Sequence, residues 1–174
     1  KHKKDSLSIC ITVRDEKGNI EPLIKSLPHL TESQEILFVE GHSKDGTKEE
    51  IERVSREYPE VQILSQTLDV TDGVSIQKCV ETAYKEFGTI DVLVNSAAID
   101  AKFDQNSDTS GFSSFTQFPK ELWQKSLEVN LTGAFLLTQE VCKVMEVSGK
   151  GSIITLGSNY GLVGPDQRIY KKQG

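Results

Sequence analysis

At 174 residues, with 36% hydrophobic and 26% charged side chains, the chain has enough apolar material for one globular core and too much for a disordered segment. Its formal net charge of −6 comes from acidic residues scattered along the chain, which argues against a nucleic-acid surface. No apolar run approaches the ~18 residues that a membrane-spanning helix needs. The basic start, Lys1-His2-Lys3-Lys4, precedes only a short alternating strand, so no leader is expected and the cytoplasm is the expected location. Cys10, Cys79 and Cys142 are widely spaced within apolar patterns, which predicts buried thiols of a reducing compartment. With only His2, His29 and His42 beside them, no metal cage is expected.

In chain order, Leu7 to Val13 reads as a first strand. Ile20, Leu23, Ile24 and Leu27 then recur at helical spacing, and Pro28 closes that helix. Glu35 to Val39 makes a second strand. Thr47-Lys48-Glu49-Glu50 reads as a capping box, its threonine oxygen satisfying an early helix N–H while the glutamate reaches back. Ile51, Val54 and Tyr58 carry one face of the helix that follows, and Pro59 stops it. Val61 to Leu64 is a third strand. Ile76, Val80, Ala83, Tyr84 and Phe87 form the next apolar stripe, ended by Gly88.

Ile90 to Val94 is a nearly all-apolar run, as a strand covered on both faces should be. Residues 100–118 are polar and read as a long loop or lid. Pro119 suits the first turn of a helix, after which Trp123, Leu127, Leu131, Ala134, Phe135, Cys142 and Met145 are expected to share one buried face. Ser152 to Leu156 is a fifth strand, and Tyr160 to Gly174 an irregular tail. Strands alternating with helices predict a single α/β domain. Its expected architecture is three layers around a doubly wound parallel sheet, in strand order 3-2-1-4-5. Ligands of such sheets bind beyond the carboxyl ends of the strands, where the order reverses between strands 1 and 4.

Two resemblances attach to those strand ends. Ile11-Thr12-Val13-Arg14-Asp15-Glu16-Lys17-Gly18-Asn19-Ile20 and Val39-Glu40-Gly41-His42-Ser43-Lys44-Asp45-Gly46-Thr47 resemble the first two loops of family-two inverting glycosyltransferases. That likeness covers residues 7–66 and implies a nucleotide-sugar site with carboxylates accepting from base and ribose. It departs where proline is replaced by Thr12, asparagine by Asp15 and the paired aspartates by Glu40-Gly41. The later metal-binding carboxylates have no counterpart. A plain turn and helix cap is the competing reading of Asp45, Gly46 and Thr47.

From residue 67 onward the chain resembles the short-chain dehydrogenase/reductase family. Leu68-Asp69-Val70-Thr71-Asp72 is similar to the segment after the third strand, whose aspartate meets adenine. Ile90-Asp91-Val92-Leu93-Val94-Asn95-Ser96-Ala97-Ala98 is similar to the D-x-L-V-N-N-A-G motif, with Ser96 and Ala98 as departures. Val129-Asn130-Leu131-Thr132-Gly133 matches the helix asparagine, and Gly151-Ser152-Ile153-Ile154 leads to Ser158. The resemblance implies a Rossmann-like fold, NAD or NADP as cofactor, and hydride transfer between nicotinamide and a carbonyl or alcohol carbon.

By the same resemblance Ser158 would bind the substrate oxygen, Asn130 would support a proton relay, and Asp69, Val70, Asn95, Ala97 and Glu40 would contact the cofactor. Glu40, at the end of the second strand, would favour NAD over NADP. Tyr170 follows Ser158 at close to the family's usual gap, but the fourth residue after it is Gly174, where a lysine should lower the tyrosine pKa. Tyr170 is therefore read either as the catalytic tyrosine or as a loop tyrosine, the working pair then lying beyond residue 174. Arg14 to Asn19 replaces the glycine-rich phosphate loop with one glycine and two carboxylates, so weak or absent dinucleotide binding is expected.

Three functions follow as expectations. The first is an oxidoreductase-type nucleotide-binding domain, inactive as it stands, in which a transferase-like half and a dehydrogenase-like half meet near residue 66. The second is a nucleotide-sugar-binding remnant. The third is a chimeric scaffold without a ligand. The expected partners are a nucleotide or nucleotide-sugar, with no nucleic acid and no membrane, and a homo-oligomer is left open.

Overall fold

The computed structural model describes residues 6–28, 31, 33–99, 116, 118–158 and 161–162. Five parallel strands, β1 (Ser6–Val13), β2 (Ser33–Glu40), β3 (Gln62–Thr67), β4 (Val92–Asn95) and β5 (Ser152–Thr155), form one sheet in the order β3-β2-β1-β4-β5. This is the expected order, and the sheet is flanked by helices as expected. Helices α1 (Ile20–Ser26) and α2 (Thr47–Glu57) cover one face. Helices α3 (Gly73–Phe87) and α5 (Ala134–Ser148) cover the other, and α4 (Lys120–Leu127) leads into α5.

The two-residue side-chain period of a strand divides the core. Ile9, Ile11 and Val13 of β1 join Ile36 and Phe38 of β2 against Ile20, Ile24, Ile51 and Val54. Cys10, Leu37, Val39 and Leu93 face the opposite way, toward Ile76, Val80, Ala83, Leu137 and Val141. The helix ends follow their local chemistry. Asp72 caps α3 by accepting the Val74 N–H at 3.0 Å, and Gly88 closes it at φ 76°, a left-handed turn that glycine takes at little steric cost.

Three burial expectations fail. Tyr84 is exposed on α3, whose inner row runs through Cys79 instead. Cys142 is only half-buried, unlike Cys10 and Cys79. Trp123, Leu131 and Phe135 are 57%, 65% and 60% exposed, whereas Gly133, Leu137, Val141 and Met145 make the buried row. For Leu131 and Phe135 the physical reason is a π-helical turn, Glu128–Gly133, between α4 and α5. Its extra residue rotates the helix beyond it, so a stripe counted through at 3.6 residues per turn ends on the wrong side. The loop expected over residues 100–118 lies outside the described residues except at 116 and 118, and the tail beyond Leu162 lies wholly outside them.

Candidate functional site

The carboxyl ends of the strands stand level: Val13 pairs with Glu40, Glu40 with Thr67, and Asn95 with Thr155. Where β1 and β4 part, a cavity of about 500 Å³ opens above the sheet. Thr12, Arg14, Gly41 and His42 line it from β1 and β2, and Leu68, Asp69, Val70 and Thr71 from β3. Ala97 and Ala98 line it after β4, Gln124 and Lys125 from α4, and Glu128 and Val129 from the π-helical turn. Asp69, Val70 and Ala97 thus stand where the sequence places them. Glu40, Asn95, Asn130 and Ser158 do not line the cavity, and Tyr170 lies outside the described residues.

On the β1–β2 side the turn after β1 is bound to the turn after β2. The N–H groups of Asp15, Glu16 and Lys17 donate to Ser43 Oγ, Thr47 Oγ1 and Asp45 Oδ2 at 2.9, 2.8 and 2.9 Å. The Gly18 N–H donates to Glu50 Oε2. Asp15 Oδ1 accepts in return from the Lys44 N–H at 2.9 Å, and Glu40 Oε1 accepts from the Ser43 N–H. Asp15 and His42 adopt φ of 53° and 59°, left-handed backbone that these reciprocal bonds hold in place.

The expected capping box is therefore built differently. Gly46 occupies the cap position of α2, and Thr47 lies inside the first turn, fully buried. Asp45 Oδ1 accepts both the Thr47 N–H at 3.0 Å and its hydroxyl at 2.6 Å, freeing the Thr47 oxygen to accept from Glu16. Burial raises the Asp45 pKa, but the Thr47 hydroxyl and the N–H groups of Lys17 and Thr47 outweigh it, and the net direction is down. Glu40, 4% exposed, holds its own turn. The carboxylates that a nucleotide-sugar site would direct at base and ribose thus serve the backbone.

On the β3–β4 side the polypeptide is held from behind. Thr12, 2% exposed, accepts the N–H groups of Ser96 and Ala97 at 2.8 and 2.9 Å, and Ser96 Oγ donates to the Thr12 carbonyl. Asn95 Nδ2 donates to Thr138 Oγ1 at 2.9 Å, tying β4 to α5. Asn130, within the π-helical turn, brackets one residue: its Oδ1 accepts the Ile99 N–H at 2.8 Å and its Nδ2 donates to the Ile99 carbonyl at 3.0 Å. Asp69 Oδ1 accepts from the Thr71 hydroxyl at 2.7 Å and the Thr71 N–H at 2.9 Å. These bonds, the hydroxyl first, lower the Asp69 pKa, with Arg14 and His42 adding to the effect against a smaller penalty of burial. Ser158 follows β5, its carbonyl accepting the Gly161 N–H at 2.9 Å.

Thr12 is the residue that sequence reasoning missed. It reads as one more strand residue, and its partners are 84 and 85 positions away. Gly133 was legible only as part of a motif. A Cβ there would stand 2.8 Å from Val70 Cγ2 and 2.9 Å from the Val70 carbonyl oxygen, so helix and β3 exit touch backbone to side chain.

Comparison with known proteins gives the family. The short chain dehydrogenase model matches residues 29–170. An NAD-dependent glycerol dehydrogenase from Listeria innocua is 29% identical over 122 residues, which are 70% of this chain and 44% of that protein. A D-threitol dehydrogenase from Mycolicibacterium smegmatis is 33% identical over 101 residues, 58% of this chain and 35% of its own length. The chain spans less than half of these curated relatives. An NAD+-bound xylitol dehydrogenase superposes with a TM-score of 0.68 at 21% identity, over 95% of this chain and 58% of that one. An actinorhodin polyketide ketoreductase with NADPH gives 0.71 at 24% identity, over 96% and 59%.

The family match opens at residue 29, so residues 29–66, expected to continue a transferase-like half, fall inside the dehydrogenase pattern. Both superpositions also take in the N-terminal strands, which share the fold of these dehydrogenases. A transferase-like origin for residues 7–66 has no support from either. With a parallel sheet in 3-2-1-4-5 order, a cavity at its switch point and a family match over residues 29–170, the chain belongs to the short chain dehydrogenase family.

Proposed function

We propose that the cavity is the nucleotide site of an NAD(P)-dependent oxidoreductase-type domain, and that this chain by itself does not complete hydride transfer. The supporting observation is the cavity's place at the β1/β4 switch point, with Asp69 and Val70 on one wall and Ala97 on the other. Leu68 and Val70 offer apolar surface to a flat base, and the Asp69 carboxylate offers an acceptor to an exocyclic amino group. The nucleoside end of NAD or NADP fits these residues. The pyrophosphate does not, because the N–H groups that would cradle it are bonded to Ser43, Thr47, Asp45 and Glu50.

In this reading Ser158 is the substrate-binding serine and Asn130 a positioning residue acting through Ile99. Tyr170 would need a cation that Gly174, four positions on, cannot supply. Glu40 shapes the turn at the ribose end and reaches no ligand directly. The exposed Trp123, Leu131 and Phe135 suit self-association, which light scattering checks. Titration calorimetry and NADH fluorescence with millimolar NAD(H) and adenosine test the site. Binding that is weakened by Asp69→Ala supports it, and no binding of either ligand overturns it.

A further inference from the structure

We infer that the cavity takes an adenine-type nucleoside, and that the diphosphate of a dinucleotide adds nothing to its affinity. This rests on the reading of the cavity as a nucleotide site and narrows its ligand class. A phosphate loop binds because consecutive backbone N–H groups point at the anion and find no other acceptor. Here four consecutive N–H groups, from Asp15 to Gly18, are present but each already has an acceptor from residues 43–50. The next one, of Asn19, donates to the Glu16 carbonyl at 2.9 Å.

Two of the four acceptors, Asp45 and Glu50, are carboxylates, and the Asp15 carboxylate stands on the same turn. The chain's own anions hold the place of a diphosphate. A ligand phosphate arriving there would have to break bonds of 2.8 to 2.9 Å and meet like charge. Arg14 and Lys125 are cations lining the cavity among the described residues; the Arg14 Nε lies 3.7 Å from Asp15 Oδ2, and Lys17 packs against Gly46. Among the described residues nothing comparable blocks the nucleoside end, where Leu68, Asp69 and Val70 face the cavity.

The test is calorimetry of the whole chain at low ionic strength with adenosine, AMP, ADP and NAD+ in parallel. Dissociation constants agreeing within roughly threefold support the inference, since a working phosphate cradle would separate them by far more. ADP or NAD+ binding at least tenfold tighter than adenosine overturns it and leaves the nucleotide site standing. No binding by any of the four overturns both. Amide NMR of the unaltered protein gives a second readout. The signals of residues 15–18 should stay in place when ADP is added, and their displacement would overturn the inference. In D45N/E50Q the preference for ADP over adenosine should rise by roughly tenfold, because two facing charges are gone. An unchanged ratio counts against it.

Discussion

On the β1–β2 side of the cavity, the polypeptide turns its N–H groups away from the opening and into side chains of the neighbouring turn. On the β3–β4 side, side chains beneath the surface hold the backbone, and Asp69, Val70 and Ala97 keep their outer faces toward the cavity. Both rims are strand ends of one parallel sheet. They differ in where the hydrogen-bond acceptors lie: at the sealed rim the acceptors occupy the ligand's place, and at the open rim they lie behind it. The same fold can therefore close one half of its switch-point cavity and keep the other open, without moving a strand.

The largest effect is expected at the open rim. Thr12→Val removes the oxygen that two half-buried N–H groups share, and should cost about 2–4 kcal/mol in a denaturant titration. A cost under about 1 kcal/mol would show that the β4 exit is held by something else. Next comes Gly133→Val, whose side chain would meet Val70 at less than contact distance. It should destabilise by about 2 kcal/mol and weaken nucleoside binding, because Val70 is a wall of the cavity.

At the sealed rim, Thr47→Val strands the Glu16 N–H and should cost about 1–2 kcal/mol, with faster hydrogen exchange at Glu16 and little change at Ala97. Exchange rising equally at both would erase the distinction between the rims.

The smallest effect is one of pH. Behind the sealed rim, Glu21 accepts from Lys25, Arg53 and Tyr58, and these bonds lower its pKa from 4.5 to about 2. The folded chain takes up this proton later than the unfolded one. The contribution is thus complete above 4.5 and drains away as pH falls toward about 2. Because the group is only half-buried and solvent screens it, the effect should be modest, and Glu21→Gln should flatten that part of the acid titration. An identical acid limb in the variant would exclude Glu21 from it.

Strand order was legible because each strand announces itself by β-rich alternation and each helix by apolar spacing, and parallel connection leaves few topologies. Asp69, Val70 and Ala97 were legible as cavity-lining residues because they sit at strand ends. The helix face around Leu131 and Phe135 was misread because a π-helical turn leaves no mark in the apolar count. Thr47 was misplaced by one position, since a capping threonine and a first-turn threonine look alike until Asp45 is seen to take the capping role. The sealing of the 15–18 amides was half legible. The lost glycines showed in the sequence, but their replacement by Ser43, Thr47, Asp45 and Glu50 needs two loops brought together in space.

The narrow contact between β1 and β4 bears on the order of assembly. Only three register pairs join these strands, Ile9 with Val92, Cys10 with Leu93 and Ile11 with Val94. Thr12 fastens the upper end. Asp91 fastens the lower one, accepting the Ser8 N–H at 3.1 Å and lying 2.9 Å from Lys150 Nζ. The β1–β2 ladder, by contrast, runs from Ser6 with Ser33 to Val13 with Glu40 and closes a much shorter stretch of chain. Loop entropy favours the shorter closure, so the sealed rim is expected to form early and the open rim late. The open half of the cavity then depends on the last contact made, and a nucleoside bound there as proposed would act as its latch.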